Sequence, residues 1–86
     1  MKAADLLATT LVRADHVRSF HVHRAPPAGW EVSEREDQHI VQLQRYTDWH
    51  RVERALTHFR LKITALLEQG WREGLPVLPR DELGQL

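Results

Sequence analysis

Trp49, Val52, Leu56, Phe59, Ile63 and Leu66 recur at alternating spacings of three and four residues. That is the period of one face of an α-helix. Ala55 and Leu67 widen the stripe to the breadth of a core-facing surface. Thr47 and Asp48 ahead of it are good N-caps, and Asp48 also complements the positive end of the helix dipole. Gly70 stands where a left-handed C-terminal cap belongs, and Trp71 after it can fold back on Leu66 or Leu67. The pattern predicts a helix from about Asp48 to Gln69, to which the rest of the chain must supply a cover.

The cover comes from upstream. Phe20 and Val22 alternate with His21 and His23, and Trp30 and Val32 with Glu31 and Ser33, the period of two expected of half-buried strands. Between them Ala25-Pro26-Pro27-Ala28-Gly29 breaks the ladder. Glu36-Asp37-Gln38 reads as a polar turn, and Ile40 to Tyr46 as a third strand. Short connections make these neighbours antiparallel. Ahead of them Ala3, Leu7 and Leu11 recur every fourth residue, which suits a short N-terminal helix; Thr9 and Thr10 favour an extended chain instead.

The expected fold class is α+β: a small antiparallel three-stranded sheet packed on one long C-terminal amphipathic helix. Its expected interior is Phe20, Val22, Trp30, Val32, Val41, Leu43, Trp49, Leu56, Phe59 and Ile63, with Phe59 at the centre. The 86 residues fit a single domain, 1–86, with its core in about 17–71 and a partly flexible tail over 72–86. Leu75, Val77 and Leu78 in that tail could pack on the domain.

Composition narrows the function. Without cysteine there is no disulfide, thiolate nucleophile or cysteine-based zinc site, which favours the cytoplasm. No apolar run reaches the roughly 18 residues that would span a bilayer, and Ala3–Ala8 is too short and mixed for a signal peptide. Twelve basic residues balance twelve acidic ones, which argues against a strong nonspecific nucleic-acid binder. The charge segregates locally. Lys2, Arg13, Arg18 and Arg24 against Asp5 and Asp15 leave residues 1–29 at +2, while Glu31, Glu34, Glu36 and Asp37 against Arg35 leave residues 30–39 at −3.

Chemistry-bearing patterns are few. His21 and His23 form a His-x-His pair with metal-ligand spacing, with His39 as a candidate third ligand across the sheet. The preferred reading is that they are solvated positions opposite Phe20 and Val22. His50 with Glu53, or His58, could be drawn as an acid–base pair, but such pairs mostly decorate exposed helix faces. Ser19 and Ser33 sit in no nucleophile elbow, and the four scattered glycines build no phosphate loop. No catalytic residue, cofactor or metal is therefore expected. Arg51, Arg54, His58 and Lys62 share one side of the helix, where they either contact phosphates or merely solubilise it. Leu61 lies outside the apolar stripe and is expected to meet the N-terminal segment or a second subunit.

Gly29-Trp30 entering a strand, Thr47-Asp48 opening the helix, and Ala55, Phe59, Ile63, Leu66 and Gly70-Trp71 along and after it resemble the small WGR-type domains over residues 20–71. The Trp-Gly-Arg triplet that names that family is absent. The resemblance implies strands joined to a helix and an association with nucleic acid or with partner domains. The expected function is a non-catalytic interaction module, protein-binding or self-associating, with a nucleic-acid-binding module as the alternative. The contact residues would be Arg51, Arg54, His58, Leu61 and Lys62.

Overall fold

The structure is a computed structural model that describes residues 5–74. Strands β1 (Asp5–Arg13), β2 (His16–Arg24), β3 (Trp30–Glu36) and β4 (His39–Tyr46) precede helix α1 (Trp49–Glu68), and a short β5 (Arg72–Glu73) follows it. All strand pairs are antiparallel, in the order β4-β3-β2-β1-β5. The α+β class holds, but the expected three-stranded sheet is corrected to a five-stranded one.

One of the two extra strands, β1, replaces the expected N-terminal helix. A spacing of four puts residues on one face of a helix, and equally on one face of a strand, because four is twice the strand period. Leu7, Thr9 and Leu11 pair with Val22, Phe20 and Arg18, and Leu11 is fully buried. Thr9, Thr10 and Val12 supply the β-branched preference that decides the outcome. The turn to β2 passes through Ala14 at positive φ, without the glycine or asparagine that usually marks such a hairpin.

The helix is built as its stripe requires. The Asp48 side chain accepts from the His50 amide, capping the N-terminus. At the other end Gly70 is left-handed (φ 100°). Gly70 N–H donates to Leu67 O and Trp71 N–H to Leu66 O, the paired bonds of a Schellman cap. That reversal aims the chain back along β1, where β5 pairs and Gly74 N–H donates to Thr10 O.

The core joins Val52, Leu56, Phe59, Ile63 and Leu66 of α1 to Leu11, Phe20, Val22 and Val32 of the sheet. Phe59 meets Phe20 edge-on, with ring centroids 5.1 Å apart. Leu7, Trp30, Tyr46, Ala55 and Trp71 pack around this cluster. Val41, Leu43 and Trp49 are corrected from core to exposed residues. β4 is an edge strand whose register shifts opposite Glu34/Arg35. The shift leaves Val41 as the extra residue and turns Gln42, Gln44 and Tyr46, rather than Leu43, to the helix side. The expected packing of Leu75, Val77 and Leu78, and the flexible tail from residue 75 onward, lie outside the described residues.

Candidate interaction surfaces

Four places carry chemistry: a buried ion cluster between sheet and helix, the outer side of the helix, the sheet face that the helix leaves uncovered, and the His16–Asp37 pair at one end of the sheet.

Strand alternation directs Glu34 inward with Val32, and its side chain is only 1% exposed. Arg18 Nη2 donates to its Oε2 at 2.8 Å, and Lys62 Nζ lies 3.0 and 3.1 Å from its two oxygens. The Arg18 guanidinium is 5.9 Å from the ring centroids of both Phe20 and Trp71. Its Nε has no hydrogen-bond partner among the described residues. Through Lys62 the cluster bridges α1 to β3, and through Arg18 it joins β2 as well. It also commits Lys62, which sequence reasoning placed among the phosphate or partner contacts.

The other expected contacts are arranged on the helix surface. Arg51, Arg54 and His58 are exposed and line an open concavity of about 610 Å³ with Gln42, Tyr46, Ala55 and Phe59. On the next side His50, Glu53, Arg54, Thr57, His58 and Leu61 line another, and Leu61 is 67% exposed. Residues 5–13 are part of the sheet, so they do not cover Leu61 as expected. His50 Nδ1 and Glu53 Oε1 stand 3.8 Å apart, both on the surface.

On the open sheet face, strand alternation sets Ser19, His21 and His23 of β2 beside Glu31, Ser33 and Arg35 of β3 and Ile40 and Leu43 of β4. Together they line a concavity of about 440 Å³. Ile40 and Leu43 are 54% and 53% exposed, and Val41 stands beside them. Single exposed apolar residues need no explanation, but neighbours on a sheet face do. His23 Nε2 lies 3.4 Å from Glu31 Oε1. His39 pairs with Glu36 at the other end of β3, so it does not join His21 and His23. Among the described residues no group of three or more His, Asp or Glu side chains is arranged to hold a metal.

At that other end Asp37, in the turn between β3 and β4, accepts from the Val17 amide at 3.0 Å and lies 3.2 Å from His16 Nδ1. The bond to Asp37, aided by the charges of Asp37 and Asp15, raises the His16 pKa above its ordinary value. The Val17 amide and His16 lower that of Asp37.

Sequence reasoning missed the buried Glu34–Arg18–Lys62 cluster and the open sheet face with its exposed Ile40 and Leu43. The inward position of Glu34 was a signal for the first. No protein-family model matches this chain, and neither does any curated protein or solved structure. Among the described residues no helix is long and apolar enough to cross a membrane.

Proposed function

We propose that this protein is a non-catalytic interaction module that works by binding a protein, including a second copy of itself, in the cytoplasm. The supporting observation is a sheet covered by a helix on one face, with Ile40 and Leu43 exposed at the edge of the other. Apolar side chains in that arrangement gain free energy when another surface excludes water from them.

The second reading is nucleic-acid binding along α1. Exposed Arg51 and Arg54 share their concavity with Tyr46, a cation-and-aromatic pairing that suits a single strand. The balanced charge of the chain, and the engagement of Lys62 with Glu34, favour the protein partner. Binding to a labelled oligonucleotide and self-association, each measured at low and high salt, separate the two. Phosphate contacts weaken steeply with salt, whereas apolar association does not. Tight oligonucleotide binding that collapses with salt, by a chain that never self-associates, would overturn the protein-binding reading.

A further inference from the structure

The open face has a symmetry in its charges. Glu31 and Arg35 project from it two residues to either side of Ser33 on β3. Ser33 pairs with His21 on one flank and Leu43 on the other, so Leu43, Ser33 and His21 form a row across the sheet. Now place a second copy face to face, with a two-fold axis between the sheets, perpendicular to the strands and running along that row. Each strand then lies antiparallel over its own copy. Ser33 meets Ser33, Leu43 meets Leu43, and Glu31 of each copy meets Arg35 of the other.

We propose that the partner of this face is a second copy of the chain, docked in this isologous arrangement; the inference rests on the protein-binding reading above and names its partner. A two-fold contact must be self-complementary, and opposite charges equidistant from the axis satisfy that requirement twice. The axis row carries a small residue at its centre, which lets the sheets approach, and an exposed leucine that becomes buried against its mate. Aligned sheets pack about 10 Å apart with their strands crossed by about 30°, within reach of a glutamate and an arginine extended toward each other. Beside the axis, Ile40 of one copy, which pairs with Arg35, comes opposite Arg45 of the other, which pairs with Glu31.

The size of the face sets the strength. Seven residues of β3 at about 3.4 Å each, and four strands about 4.8 Å apart, outline roughly 450 Å² per copy. Doubling that gives roughly 900 Å² before side-chain relief is added, below the roughly 1,200 Å² of stable specific interfaces and in the range of weak, transient ones. The dimer is accordingly reversible and concentration-dependent.

The test is a charge exchange followed by sedimentation over a concentration series reaching roughly 1 mM, the weak end of measurable affinity. Glu31→Arg and Arg35→Glu should each raise the dimer dissociation constant about tenfold or more, because each sets like charges together twice. The double variant E31R/R35E should regain most of the association. The chain has no cysteine, so single Ser33→Cys and Leu61→Cys variants can be treated with a short bifunctional maleimide. Ser33→Cys should crosslink to itself and Leu61→Cys should not. A wild type that is monomeric throughout overturns the proposal, as does a double variant no better than the singles. Crosslinking through Leu61→Cys alone also overturns it, while leaving self-association itself intact.

Discussion

Glu34→Ala removes the carboxylate that holds sheet and helix together, and its cost follows from the exposure of each partner. Lys62 is 36% exposed, so its ammonium can swing to water once Glu34 is gone. Arg18 is only 17% exposed and lies against Phe20 and Trp71, so its charge stays largely buried. Breaking a buried pair by removing one partner costs about 3–5 kcal/mol, mostly through the charge left behind. Partial access for Arg18 places Glu34→Ala near 3 kcal/mol on that scale. Lys62→Ala leaves Glu34 bonded to Arg18 and should cost about 1 kcal/mol, the value of a single net hydrogen bond. An apolar exchange of all three, Arg18→Met/Glu34→Leu/Lys62→Met, removes every buried charge together and should match or exceed the parent. Urea midpoints at neutral pH read all of these, converted through a common slope. Equal midpoints for Glu34→Ala and Lys62→Ala would refute the reasoning. So would a triple variant less stable than Glu34→Ala.

Phe59→Ala should cost about 3–5 kcal/mol, because it empties the centre of the core against Phe20. Leu61→Ala, at an exposed site, should change the melting temperature little; the reverse order in thermal melts would mean that the helix face is wrongly assigned. The raised His16 pKa adds stability that is fully present below the unfolded value near 6.5 and disappears as pH climbs through the folded value. The lowered Asp37 pKa adds stability present above its unfolded value near 3.8 and lost as pH falls through the folded value. An NMR titration should therefore place His16 above 6.5 in the parent and closer to it in Asp37→Asn; an identical titration in both would remove Asp37 as the cause.

The helix was legible because its cap, stripe and stop agree: Asp48, the five buried residues from Val52 to Leu66, and Gly70-Trp71 all report one element. The first strand was not, because Ala3, Leu7 and Leu11 satisfy both periods and Ala14 hides the hairpin. β4 misled for a different reason. Its apolar residues Ile40, Val41 and Leu43 span a register shift that no composition signal announces, so two residues expected inside lie on the surface. Glu34 pointed inward by alternation with Val32, but a carboxylate makes sense there only once Arg18 and Lys62 are seen to reach it. Leu61 lies off the stripe in the sequence and is exposed in the structure, where β1 does not cover it. The open face could not be foreseen, since it depends on which side of the sheet the helix covers.

Leu43→Asp tests the central claim most directly, because Leu43 is exposed in the single chain and meets its own copy in the proposed dimer. Sedimentation equilibrium of the parent and the variant, beside a thermal melt of each, is the measurement. The account predicts concentration-dependent dimerisation of the parent, a monomeric Leu43→Asp, and nearly equal melting temperatures at dilutions where both are monomers. A parent that stays monomeric, or a Leu43→Asp variant that dimerises as well as the parent, would contradict it.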